Sequence, residues 1–177
     1  IAEMGGKNAM IIDDDADLDE AVTAAVYSAF GFQGQKCSAL SRLVVLDEIY
    51  DRFTERLVAA CSSLKIGPAE DPANFMGPVA DKGQMDTVLQ YAAIARSEGR
   101  VALERVTQGP GWYAPLVVVE NIRPEHRIAQ EEVFGPVLAV MRAKNFDEAL
   151  AMANDSRFAL TGGVFSRSPR NLEKARR

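Results

Sequence analysis

The sequence has almost no histidine and very little cysteine, and both shortages limit the chemistry it could support. His126 is the only histidine among 177 residues, which excludes a metal site built from several histidines. Cys37 and Cys61 are the only cysteines. Because two thiols make a poor disulfide framework, the composition favours a reducing compartment: the cytoplasm, or the mitochondrial matrix in a eukaryote.

The chain also lacks an excess of positive charge and any long apolar run. Its formal net charge is −5 at pH 7, whereas a surface that binds nucleic acid favours a basic patch. No apolar run approaches the roughly 18 residues that indicate a membrane span. Neither the G-x-G-x-x-G fingerprint nor a P-loop occurs. The sequence therefore predicts no nucleic-acid partner, no membrane span and no self-contained phosphate site of those two kinds.

Short apolar runs alternate along the chain with stretches of helical periodicity. The runs predict strands over Asn8–Ile12, Leu43–Leu46, Val101–Val106, Leu116–Val119, Val137–Arg142 and Gly163–Phe165. The periodic stretches predict helices after Asp17, over Glu48–Leu64, Lys82–Ser97 and Phe146–Ala153, and from Ser168 onwards. In the third of these helices, Met85, Leu89 and Ala92 are expected to face inward. This alternation indicates a single α/β domain over residues 1–177, with a largely parallel sheet flanked by helices.

The two cysteines occupy different kinds of position. Cys61 shares a helix face with Phe53 and Leu57, so its spacing predicts a core residue without a chemical role. Cys37 instead lies in the glycine-containing turn of Ala29–Arg42, between a helix pattern and a strand pattern. Loops on a rigid scaffold present reactive groups to ligands, yet most free cysteines are small buried hydrophobes. From this stretch alone, Cys37 can be interpreted either as a nucleophile or as a core residue.

Acidic residues in two other segments could act together with Cys37. A carboxylate and a thiol, here Glu3 and Cys37, are the minimum for covalent acyl chemistry, in which the thiolate attacks and the carboxylate later activates a water. Glu131 or Glu132 could accept hydrogen bonds from a ribose diol, as acidic residues do in dinucleotide sites. Periodicity does not bring these residues together, and each acid could equally be an exposed, solvated charge.

Three ordered motifs give these candidates a common interpretation. They are Glu3-Met4-Gly5-Gly6-Lys7-Asn8, Gly34-Gln35-Lys36-Cys37 and Glu131-Glu132-Val133-Phe134-Gly135-Pro136. Their order and their spacing, with 34 positions from Glu3 to Cys37, resemble the catalytic region of the NAD(P)-dependent aldehyde dehydrogenase superfamily. The resemblance covers essentially the whole chain. It implies the catalytic-domain fold of that superfamily, with Cys37 as the nucleophile and Glu3 as the base that activates water.

The resemblance also implies how the cofactor and the oxyanion are held. Glu132 would bind ribose hydroxyls near the nicotinamide of NAD, with NADP not excluded, and Phe134 would pack beside the nicotinamide ring. The oxyanion would be held by the backbone N–H of Cys37 and by an asparagine amide from elsewhere in the enzyme.

Within the superfamily, three segments look like the group that oxidises L-glutamate γ-semialdehyde to glutamate in proline catabolism. These segments are Gly34–Ala39, Phe75–Val79 and Ala159–Val164. In that group Ser38 would help to hold the α-carboxylate of the substrate. A site built to bond a polar group rejects analogues that lack it, so Ser38 would separate this substrate from neutral aldehydes.

The resemblance leaves parts of such an enzyme unaccounted for. The superfamily's NAD-binding domain precedes the Glu3 motif, and its C-terminal segment follows the last residues of this chain. We therefore expect a catalytic-domain fragment of a homo-oligomeric enzyme that acts on a small aldehyde, with little activity by itself. Two alternatives remain open: an aldehyde dehydrogenase of another substrate specificity, and a catalytically silent structural or regulatory module on the same fold.

Overall fold

The computed structural model describes residues 1–176 and contains one mixed sheet. Among these residues the strands are β1 (Asn8–Ile12), β2 (Leu40–Leu46), β3 (Arg100–Arg105), β4 (Leu116–Glu120), β5 (Val137–Ala143) and β6 (Gly162–Phe165). Their order across the sheet is β3-β4-β5-β2-β1-β6. All neighbouring strands pair in parallel except β3 and β4, which are antiparallel. The predicted α/β fold with a largely parallel sheet is confirmed.

Helices follow most of the strands. Over residues 1–176 they are α1 (Leu18–Phe30), α2 (Asp47–Ser63), α3 (Lys82–Glu98), α4 (Arg127–Gln130), α5 (Phe146–Asn154) and α6 (Pro169–Ala175). Asp17 caps α1 by accepting the backbone N–H groups of Asp19 and Glu20. Sequence periodicity missed α4, because four residues are too few to show a helical repeat. No helix in this part of the chain is long and apolar enough to cross a membrane.

The core lies on both faces of the central strands. Every residue of β1 and β4 is buried, which explains why Ala9–Ile12 and Leu116–Val119 appear in the sequence as unbroken apolar runs. Cys61 is fully buried, as its spacing predicts. The prediction for α3 was wrong at Leu89, which is 46% exposed; the buried face of this helix carries Val88, Ala92 and Ala95.

One strand boundary differs from the prediction in a way that matters for the site. β2 begins at Leu40, three residues before the predicted start at Leu43. Its first residues are recruited by pairing with β1, in which Asn8 lies opposite Leu40. Pairing partners that are distant in sequence leave no periodic signal, so the apolar run alone understates the strand. Cys37 consequently lies only a short turn away from the sheet.

Candidate active site

The three sequence motifs meet at one end of the sheet. Each of them leads into a strand: the first runs into β1, the second ends at Cys37 shortly before β2, and the third ends directly before β5. These strands are neighbours in the order β5-β2-β1, and they run parallel. Because parallel neighbours begin at the same edge of a sheet, segments more than 120 residues apart in sequence converge there.

An open cleft of about 580 Å³ lies where the motifs converge. Cys37 and Ser38 are exposed, so the interpretation of Cys37 as a small buried hydrophobe is wrong. Glu3 is exposed as well, Glu132 is half-buried, and the ring of Phe134 is 41% exposed. All the site residues predicted from the sequence thus face one cleft, whose lining is Glu3, Met4, Gly5, Gln35, Lys36, Cys37, Ser38, Glu132 and Phe134.

The turn that carries Cys37 has an unusual backbone. A single 3₁₀ turn, Gly31–Gly34, follows α1, and Phe32 and Gln33 adopt positive φ angles of 54° and 59°. Gly34 also has a positive φ, and a Cβ there would lie 2.4 Å from the carbonyl oxygen of Gly135. Only glycine permits so close an approach in this conformation, so the cysteine turn presses directly against the third motif.

The structure distinguishes the two neighbouring acids of the third motif. The carboxylate of Glu131 accepts hydrogen bonds from the Tyr91 hydroxyl at 2.7 Å and from the Arg127 guanidinium at 2.9–3.2 Å. The Arg127 and Tyr91 hydrogen bonds lower the pKa of Glu131. Glu132 instead lines the cleft, and its Oε1 accepts the backbone N–H of Gly6 at 2.8 Å. Glu132 is therefore the acid available to a ligand, while Glu131 is engaged with α3 and α4.

A glutamine that the sequence did not suggest supports the loop of Phe134. The φ angle of Phe134 is 55°, a left-handed conformation that is strained for a residue with a side chain. Gln84, near the start of α3, donates its Nε2 hydrogens to the carbonyl oxygens of Val133 at 3.0 Å and Phe134 at 2.8 Å. These two hydrogen bonds offset the strain and fix the loop. An isolated glutamine on a helix gives no sequence signal for this contact.

Two buried cations lie behind the cleft, and neither was predicted. Arg42 is 2% exposed and donates to the carbonyl oxygens of Lys7, Met152, Ala153 and Asp155, at 2.8–3.2 Å. It thereby ties the C-terminal end of α5 to the first motif. Lys7 is 3% exposed. Burial, together with the positive charge of Arg42, lowers the pKa of Lys7 to about 7, against an opposing effect of Glu132 and Glu131.

Comparisons with known proteins identify the family of this chain. A sequence model described as the aldehyde dehydrogenase family matches residues 1–177. The chain belongs to that family. The 1-pyrroline-5-carboxylate dehydrogenase of Geobacillus thermodenitrificans is 44% identical to this aldehyde dehydrogenase chain over 177 residues, or 99% of the chain. The match spans 34% of the length of that relative.

Solved structures share the fold of this aldehyde dehydrogenase chain closely. Proline utilization A from Bdellovibrio bacteriovorus, inactivated by N-propargylglycine, superposes with a TM-score of 0.97 and 53% identity, over 98% of this chain and 18% of the other. A 1-pyrroline-5-carboxylate dehydrogenase from Thermus with bound NAD gives a TM-score of 0.94 and 46% identity, over 98% of this chain and 34% of the other. The chain is thus about a third of the length of its dehydrogenase relatives.

Proposed function

We propose that this chain is the catalytic region of an NAD-dependent dehydrogenase that oxidises L-glutamate γ-semialdehyde to L-glutamate through a thioester on Cys37. The observation that carries the proposal is the single cleft lined by Glu3, Cys37, Ser38, Glu132 and Phe134. Support comes from the Geobacillus relative, whose name, 1-pyrroline-5-carboxylate dehydrogenase, is another name for this activity.

The reaction follows from a nucleophile, a base and a backbone donor at one cleft. The thiolate of Cys37 attacks the aldehyde carbon, and the backbone N–H of Cys37 donates to the oxyanion that forms. NAD, when bound, would supply the acceptor for the hydride of that carbon, so that the overall reaction would turn aldehyde, water and NAD⁺ into carboxylic acid, NADH and a proton. The carbon then remains on the Cys37 Sγ as a thioester. Glu3 takes a proton from a water that attacks the thioester, which releases the acid and frees the thiol.

Glu132 and Phe134 have the chemistry that the reactive half of NAD requires. The hydrogen bond from the Gly6 N–H holds one oxygen of the Glu132 carboxylate. A carboxylate offers about four lone-pair sites, enough to accept further hydrogen bonds from a ribose diol. The exposed ring of Phe134 provides an apolar face for the nicotinamide. We assign the choice between NAD and NADP to residues outside this chain.

Ser38 is our candidate for substrate recognition. It follows Cys37 directly, is exposed and lines the same cleft. Its hydroxyl can donate a hydrogen bond, which is what recognition of the substrate's α-carboxylate requires. A Ser38→Ala variant should therefore raise the KM for the semialdehyde and leave the KM for a neutral aliphatic aldehyde unchanged.

The remaining parts of the enzyme belong to the proposal as well. We infer that the chain is one catalytic domain, residues 1–177, which works with an NAD-binding domain and a C-terminal segment of a longer, homo-oligomeric protein. The second oxyanion donor, an asparagine amide, would come from that additional sequence, and its loss from the isolated chain would cost on the order of 10²–10³ in rate. Relatives of bacterial origin and the scarcity of cysteine favour the cytoplasm.

The test of the proposed function compares two substrates and two variants of the full-length protein. Reduction of NAD should be much faster with glutamate γ-semialdehyde than with a simple aliphatic aldehyde, and Cys37→Ala should abolish it. Glu3→Gln should still form the thioester, giving one rapid turnover of NADH followed by slow release of the acid. Equal rates with the two aldehydes would leave the thioester chemistry standing but exclude the substrate. Turnover by Cys37→Ala would exclude Cys37 as the nucleophile. If the full-length protein reduced no NAD with any aldehyde, a catalytically silent module would be favoured.

A further inference from the structure

The side chain of Asn8 links the start of β1 to two other segments of the chain, the Cys37 turn and the residues before β6. It is the first residue of β1 and is 5% exposed. Its Nδ2 donates to the carbonyl oxygens of Cys37 and Ala39, both at 2.8 Å. Its Oδ1 accepts the backbone N–H of Thr161, just before β6, at 3.1 Å. Both hydrogens and the oxygen of the amide are therefore used, which fixes its orientation.

The stretch that Asn8 holds has little other support. Regular pairing of β2 begins only at Leu40, so the residues around Cys37 have no strand partner. Within the turn, the backbone N–H of Ala39 donates to the carbonyl oxygen of Lys36 at 3.0 Å. Over residues 1–176, the carbonyl oxygen of Cys37 accepts no side-chain hydrogen bond other than that from Asn8.

The opposite side of the Cys37 carbonyl is closed by packing. A Cβ built on Gly6 would lie 2.1 Å from the carbonyl oxygen of Cys37, so the carbonyl rests directly on the Gly6 backbone. The same Gly6 donates its N–H to Glu132. The peptide group between Cys37 and Ser38 is thereby held between the Gly6 backbone on one side and the hydrogen bond from the Asn8 amide on the other. This restricts the directions in which the Sγ and the N–H of Cys37 can point.

We propose that Asn8 is the positioning residue for the nucleophilic cysteine, and this inference rests on the proposed role of Cys37. Asn8 is buried and is not among the residues that line the cleft. It acts by holding the Cys37 carbonyl, so that the thiol and the backbone N–H of Cys37 stay aimed at the aldehyde. A displacement of about 1 Å at a reacting group can cost about 10²-fold in rate, which sets the scale of the expected effect.

The test uses Asn8→Ala and Asn8→Asp in the full-length protein, with Asn145→Ala as the control. Aspartate keeps the size of asparagine but presents an acceptor to two carbonyl oxygens, so it cannot form the clamp. Asn145 caps α5 through its Oδ1, away from the cleft. The Asn145→Ala variant therefore shows how far a loss of stability alone changes the measured rates. The measurements are the first-turnover rate of NADH formation, the KM values for NAD and aldehyde, and the rate of Cys37 alkylation by iodoacetamide.

The positioning role predicts a split between these measurements. In folded Asn8 variants the first-turnover rate and the alkylation rate should fall, the former by about 10²-fold, while both KM values change little and Asn145→Ala keeps the wild-type rates. If Ala and Asp do not fold, Asn8→Ser carries the same test, because its hydroxyl can donate to only one of the two carbonyls. Wild-type first-turnover rates in a folded Asn8 variant would overturn the inference. Turnover by Cys37→Ala would instead overturn the proposed function, so the two failures are distinguishable.

Discussion

Replacing Arg42 with methionine should lower the free energy of unfolding by about 3 kcal/mol. The guanidinium is 2% exposed and donates to four carbonyl oxygens, those of Lys7, Met152, Ala153 and Asp155. A hydrogen bond from a charged donor contributes about 1.5–3 kcal/mol, and a buried acceptor left without a partner costs about 1–3 kcal/mol. Relief from burying a cation offsets part of this loss, since burial also lowers the pKa of Arg42.

The Arg42 prediction is checked by urea unfolding followed by far-UV circular dichroism. Arg42→Lys should lose nearly as much stability as Arg42→Met, because an ammonium cannot reproduce the planar fork that serves four carbonyls. The matched control is Arg56→Met, which removes an exposed ion pair with Asp19 and should change the stability by less than about 1 kcal/mol. The reasoning fails if Arg42→Met is no more destabilising than Arg56→Met.

Three further predictions concern the residues around the cleft. Lys7→Met should raise the free energy of unfolding most at pH 7 and below, and the gain should shrink as the pH rises towards 10.5. Burial lowers the pKa of Lys7 from 10.5 in the unfolded chain to about 7 in the folded one. Between pH 7 and pH 10.5 the unfolded chain therefore binds more protons than the folded one, and the cost of burying Lys7 shrinks as the pH rises. Urea titrations at several pH values test this, and a stability gain that does not vary with pH would contradict it. Iodoacetamide should alkylate exposed Cys37 and spare Cys61, whose pKa burial raises to about 12; peptide mass mapping decides, and labelling of Cys61 in the folded protein would refute it. Gln84→Ala should loosen the loop of Phe134 and raise the KM for NAD in the full-length enzyme without slowing Cys37 alkylation; an unchanged KM would show that the loop is held by other contacts.

The position of the cleft departs from the usual pattern of parallel α/β sheets. In such sheets ligands commonly bind beyond the carboxyl ends of the strands. Here the three motifs lead into β1, β2 and β5, so the cleft lies at the amino ends. A rule based on fold class alone would direct attention to the opposite edge of this sheet. The motifs, and not the fold class, point to the cleft at the amino ends of the strands.

Much of the secondary structure was predictable from local sequence. Over residues 1–176, the apolar runs identified every strand to within a few residues. The reason is clearest for β1 and β4, because strands buried on both faces need mainly apolar side chains. Asp17 marked the start of α1, because a carboxylate there satisfies free N–H groups of the first turn. The helical spacing of Cys61 predicted its burial. Each of these features depends on side chains and backbone within one or two turns of the chain.

The composition of the candidate site was predictable, but its assembly was not. The sequence by itself supplied Glu3, Cys37, Ser38, Glu132 and Phe134 through motifs, and it could not bring them together by periodicity. Only the adjacency of parallel β5, β2 and β1 decided that these residues share one cleft.

Long-range contacts also decided how the individual side chains are used. They assigned Glu131 to Arg127 and Tyr91, and they left Glu132 in the cleft. They likewise set the amide of Asn8 on the Cys37 carbonyl. Hydrogen bonds and close packing between segments far apart in the chain depend on three-dimensional neighbours. Local residue patterns carry no record of those neighbours, so only the tertiary structure could determine these contacts.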